Sequence, residues 1–186
     1  EAYTIGVPIL IVKSMTDRLA TSSGVAFHLG TPDPEMRRIA SWLFTVSKND
    51  YPLLLKLAKA AWKRHGREDM RLAGLILANI NPGYLKEGVW SILAEMLQKT
   101  EPLEALLESI EELARAGHQI PSDDELEKFC YGPEILHHFA FLILVVCCRR
   151  EGRELSETQK KIVEDRPSST ETMDRLAAMI LDEASQ

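Results

Sequence analysis

The chain has 186 residues, 45% of them hydrophobic and 27% charged, with a formal net charge of −6; this fits one ordinary domain with a solvated surface. The acidic balance argues against a protein that coats nucleic acid non-specifically. Three cysteines, Cys130, Cys147 and Cys148, are too few and too badly spaced for a secreted disulfide framework. The most apolar run, residues 139–148, falls well short of the roughly 20 residues of a membrane span.

Caps and breakers divide the chain into helices. Pro8 opens a first expected helix to about Ala20. Residues 3–12 are apolar but lack a basic lead-in and a small-residue cleavage site, so no signal peptide is expected and the expected location is cytoplasmic. Residues 21–31, with Gly24 and Gly30, form a loop. Asp33-Pro34-Glu35 gives an N-cap, a proline at the first helical position and an early acid, and Met36, Ile39, Ala40, Leu43 and Phe44 follow at helical spacing. Asp50 caps the next helix, which carries Leu53, Leu54, Leu57, Ala58, Ala61 and Trp62 on one face and is expected to stop at Gly66. A helix from about Glu68 carries Leu72, Leu75 and Ile76.

Asn81-Pro82-Gly83 breaks the chain, and a helix is expected from about Tyr84 to Lys99. Thr100-Glu101-Pro102 starts the next, with Leu103, Leu106, Leu107, Ile110 and Leu113 inward and Gly117 as terminator. Ser122 with Glu125 is a capping box for a short helix ending near Tyr131. Gly132-Pro133 leads into the apolar helix, which Gly152 ends. Ser156 with Gln159 and Ser168 with Glu171 cap the last two. About ten helices on short links imply antiparallel neighbours.

Two charged runs stand out. Lys56, Lys59, Lys63, Arg64, His65, Arg67 and Arg71 are basic, and Arg37 and Arg38 lie on a neighbouring helix. They form either a phosphate-facing edge or a solvated face. Glu101, Glu104, Glu108, Glu111 and Glu112, then Asp123, Asp124, Glu125 and Glu127, are acidic, and form either a solvated face or a contact for a basic protein. His137, His138 and the cysteines lack zinc-ligand spacing, so no metal site is expected. No phosphate loop, dinucleotide fingerprint or nucleophile elbow is present. Trp90, one turn into its helix, lines a concave surface or belongs to the core.

The segment from Phe27 to Ala78 resembles the N-terminal half of the DNA-alkylation-repair family, the HEAT-like helical alkylpurine DNA glycosylases. The likeness rests on Gly30-Thr31-Pro32-Asp33-Pro34-Glu35-Met36-Arg37-Arg38-Ile39-Ala40, matching a Gly, a Pro and a Leu-Arg-Lys-Ile-Ala-like helix start. A helix ending in Trp62 and the acid-led Glu68-Asp69-Met70-Arg71-Leu72-Ala73-Gly74-Leu75 complete it. The family's glycosylases carry a Trp and, four residues on, an Asp, one turn apart on the same face. Here Trp90 is followed at that distance by Ala94, with Glu95 on a different face; alignment on distance from Arg71 gives Pro102 and Leu106. Neither placement supplies the carboxylate.

The resemblance therefore implies an all-α fold of HEAT-like repeats, antiparallel helix pairs in a curved right-handed α-solenoid, spanning residues 1–186 as one domain. It implies a diverged relative that holds DNA or a protein on a concave helical face, with no catalytic residue of the usual kind. The DNA contacts would be Arg37, Arg38, Lys63, Arg64, Arg67, Arg71 and Trp90. The alternatives are an active glycosylase using another acid, such as Glu95, and a pure protein-interaction scaffold. No cofactor, metal or membrane partner is expected.

Overall fold

The computed structural model describes residues 24–85, 87–152, 154–167 and 171–183. Among them are nine α-helices, one 3₁₀ turn and no strand; Phe27 and Gly66 form a lone parallel bridge. The helices are α1 Asp33–Val46, α2 Tyr51–Lys63, α3 Arg67–Asn79, α4 Val89–Met96, α5 Leu103–Arg115, α6 Asp123–Cys130, α7 Glu134–Glu151, α8 Glu157–Glu164 and α9 Glu171–Glu183, with the 3₁₀ turn at Pro82–Tyr84. The expected helix over 8–20 and the Ser168 cap lie outside the described residues. The chain divides into two compact units, one ending at His118 and the other beginning at Gln119.

Local chemistry sets most helix ends. Asp50 accepts from the Leu53 amide at α2, and Ser122 with Glu125, then Ser156 with Gln159, form complete capping boxes. Gly152 ends α7 in the left-handed conformation that a side chain would oppose. Three ends differ from expectation, and one of them, α2, ends at Lys63 instead of Gly66. Asp33 is inside α1, whose N-cap is Pro32, because its carboxylate turns to arginines instead of to its own amides. The helix expected over 84–99 shrinks to α4, because the chain passes through a 3₁₀ turn and then Gly88 at φ 75° before it can coil.

In the first unit α3 is the hub. It packs on α1, α2 and α5, whereas α1 makes few contacts with α2, its neighbour in sequence. All of Glu68–Ala78 is buried. An amphipathic surface helix buries one stripe, so a helix enclosed all round must pair every polar side chain it carries. Gly74 gives α5 its close approach: a Cβ there would lie 2.8 Å from Ser109 Oγ and 3.3 Å from Ser109 Cα. Trp62, fully buried, fills the α2 side of the core.

The α2–α3 corner is tight. His65, not Gly66, carries the positive φ of 56°, and Gly66 is the N-cap of α3 in extended conformation. Gly66 is needed for room, since the Phe27 ring lies where its side chain would be. Backbone bonds from Ala26 N to His65 O (2.8 Å) and from Arg67 N to Phe27 O (3.0 Å) clamp the incoming strand of loop to this corner.

In the second unit α7 is apolar through its middle, with residues 139–145 all buried, and it packs on α6, α8 and α9. Asp123 of α6 accepts from Ser156 Oγ (2.8 Å) and Gln159 Nε2 (2.7 Å), so it ties the start of α6 to the cap of α8. No helix among the described residues is long and apolar enough to cross a membrane.

Candidate functional site

The arginines singled out in the sequence converge at the N-terminal end of α3, but on carboxylates. Arg71, with only 8% of its side chain exposed, lies between Asp33 (2.6 Å) and Glu112 (3.0 Å). Arg37 makes a paired contact with Glu112, at 2.9 and 2.7 Å, and its Nε donates to Asp33 at 2.8 Å. Arg115 adds a bond to Glu112 at 2.9 Å. Burial alone would raise Asp33 and Glu112, but the bonds from Arg71 and Arg37 outweigh it and hold both below the ordinary carboxylate range. Arg37 is in turn held more firmly protonated, chiefly by its bond to Glu112.

Three of the other candidates are paired in the same way. Arg67 pairs with Glu108 at 2.9 Å, Arg64 with the buried Asp69 at 3.1 Å, and Arg38 with Glu35 at 2.8 Å. Arg64 also lies over the Phe27 ring, 5.5 Å from its centre. Lys63 is exposed on α2, and Trp90 is buried in α4. Glu95 faces Lys59 at 2.9 Å on an exposed surface. Glu68, fully buried, accepts from three successive amides, Leu29 (3.0 Å), Gly30 (2.8 Å) and Thr31 (3.2 Å). Glu101 accepts from Trp62 Nε1 at 3.1 Å and lies 2.9 Å from His65 Nε2. The basic and acidic runs of the sequence thus supply much of each other's pairing. Compared with family models, with curated proteins and with solved structures, the chain matches none.

Among the described residues no group of His, Cys, Asp and Glu is placed to hold a metal, and the cysteines form no disulfide. Burial, reinforced by Glu127, pushes the Cys130 thiol up to about 11.

The opposite end of the first unit has a different character. Asp33 meets Arg71, and Ala40, Ser41 and Phe44 share a groove with Leu75 and Asn79. Helices α1 and α3 therefore run in the same direction, and α2, which lies between them in sequence, runs back. The C-terminal ends of α1 and α3 and the start of α2 meet at one end. There lie Trp42, 60% exposed, Val46, Leu53 and Tyr84, all four of the unit's exposed large hydrophobic side chains among the described residues. Tyr84 packs on Tyr51 with ring centres 5.3 Å apart. Sequence reasoning passed over this surface. Its one local signal is that Trp42 and Val46 share a face of α1 apart from the buried Met36 and Ala40.

Proposed function

We propose that this chain is a diverged relative of the alkylation-repair HEAT-like proteins that binds a protein partner and performs no base excision. The observation that carries this reading is the exposed aromatic end of the first unit, with Trp42, Val46, Leu53 and Tyr84. Isolated exposed apolar residues are ordinary, whereas aromatic and aliphatic groups gathered at one end suit a protein interface. The cationic alternative is weakened because Arg37, Arg67 and Arg71 already have carboxylate partners. A HEAT-like arrangement is supported by the rows in the first unit: α1, α3 and α5 are neighbours, and α2 contacts α4.

Duplex DNA remains a second reading, carried by α2. Lys56, Lys59 and Lys63 lie three and four residues apart on its exposed face, next to the exposed Arg64.

The test places a photo-crosslinking amino acid, p-benzoylphenylalanine, at Leu53 or Tyr84, and separately at Lys63, in the full chain expressed in its own cells. A discrete protein adduct from the first two positions and not from Lys63 supports the proposal. Its absence, together with salt-sensitive binding of a labelled duplex that Lys56→Ala and Lys63→Ala reduce, would favour the DNA reading. Release of base from alkylated duplex would refute the non-catalytic assignment.

A further inference from the structure

Two helices of the first unit each carry a second apolar stripe beside the buried one. On α2, Leu53, Leu57 and Ala60 repeat at i, i+4 and i+7, roughly a quarter turn from the buried line of Leu54, Ala58 and Ala61. Leu53 and Ala60 are exposed and Leu57 is half-buried. On α1, the half-buried Ile39 and the exposed Trp42 and Val46 repeat at i, i+3 and i+7, turned away from the buried Met36 and Ala40. A helix that buries one stripe and carries another in water has the pattern of an element with two neighbours.

The chain itself leads to the end of the α2 stripe. Arg64 follows Ala60 by four residues and continues the same line, and its guanidinium lies over the Phe27 ring. The described chain starts at Gly24, and Ala26 bonds to His65 at the α2–α3 corner. Residues before Gly24 therefore arrive where the stripe ends. Helix α2 has 13 residues, about 20 Å. The helix expected over 8–20 is as long, with residues 21–23 as its link to the corner. On one side of such a helix fall Ile9, Val12, Met15 and Leu19; on the other fall Lys13, Ser14, Asp17 and Arg18. Running toward the corner, it would be parallel to α2 and antiparallel to α1, whose Asp33 end meets Arg71 there. That is the alternation of stacked helix pairs, and it gives α1 the antiparallel neighbour that α2, with few contacts to α1, does not supply.

We propose that residues 8–20 of this chain dock as a helix along the Leu53–Leu57–Ala60 and Ile39–Trp42–Val46 stripes, and so compete with the protein partner for Trp42 and Leu53. The competition rests on the protein-binding reading above; the docking stands on the two stripes and the path of the chain. A partner that reaches Trp42 then has to displace a tethered segment, whose local concentration is high because its link is short.

The chain has three tryptophans, and Trp62 and Trp90 are buried, so acrylamide quenching of the full chain reads the cover over Trp42. All three should be protected in the wild-type chain. Met15→Asp with Leu19→Asp puts two charges on the docking side. It should make one tryptophan readily quenched and shift emission to longer wavelength, while helical circular dichroism persists. Trp42→Phe in that background should remove the quenched component, and Ser14→Asp, on the opposite side, should change nothing. A Trp42 already readily quenched in the wild-type chain, or still protected in the double variant, would overturn the docking. Protection that fades on dilution would overturn it in favour of a second copy of the chain. With p-benzoylphenylalanine at Leu53, the double variant should give more partner adduct than the wild-type chain; equal yields would remove the competition. No adduct from either chain, with Trp42 uncovered in the double variant as expected, would remove the protein-binding reading and leave the docking.

Discussion

Gly66→Ala separates room from backbone freedom as the reason for a glycine. Gly66 has φ −76° and ψ 143°, a conformation that any residue adopts, so the backbone opposes nothing. A Cβ would, however, lie 2.2 Å from Phe27 Cζ and 2.3 Å from Phe27 Cε2, far inside contact distance. The ring cannot simply drift away, because the Ala26–His65 and Arg67–Phe27 backbone bonds hold its residue to the corner. Forcing extra volume into such a site costs about 1–3 kcal/mol. Alanine is also a poorer N-cap than glycine, by roughly 0.5–1 kcal/mol. The sum is about 2–4 kcal/mol, or a fall in melting temperature of roughly 5–15 °C. The two contributions separate in a double-mutant cycle: in a Phe27→Ala background only the cap contribution remains, so the coupling is about 1–3 kcal/mol. Urea denaturation followed by circular dichroism on the four proteins measures it. An equal cost of Gly66→Ala in both backgrounds would refute the packing argument.

Glu112→Ala leaves Arg71 buried beside a single carboxylate and is expected to cost about 3–5 kcal/mol, read from chemical denaturation; a neutral effect would mean that the network is slack. Asp33 and Glu112 are both lowered in the folded state. Their contribution is complete above their ordinary values of 3.8 and 4.5 and is lost as pH falls through the lower folded values. An acid-unfolding series should therefore show stability falling with pH below that range, with a shallower fall in Glu112→Gln. Trp62→Ala is expected to cost about 3–5 kcal/mol, since the ring is fully buried and its indole nitrogen bonds Glu101; an unchanged melting temperature would contradict the core assignment. Ser156→Ala removes both the cap of α8 and the bond to Asp123, at a cost of about 1–2 kcal/mol; hydrogen exchange at the start of α8 should rise while α3 is unaffected.

The sequence alone determined the helical class and most helix ends. Asp50, the Ser122–Glu125 and Ser156–Gln159 boxes and Gly152 act on amides and carbonyls within a turn of themselves, so their effect is readable locally. Only the tertiary structure decided where the charges go. Arg37 and Glu112 are 75 residues apart, and Arg71 meets Asp33 across 38. Neither run announces its partner, because a charged stripe has the same spacing whether it faces water, phosphate or another stripe. The same holds for the aromatics. Trp42 and Trp62 both sit on amphipathic helices, yet α2 turns Trp62 into the core while α1 leaves Trp42 60% exposed. Among the described residues α1 packs chiefly on α3, whereas α2 contacts both α3 and α4. Which helices pack against a face is a property of chain topology, and the spacing within either helix does not carry it.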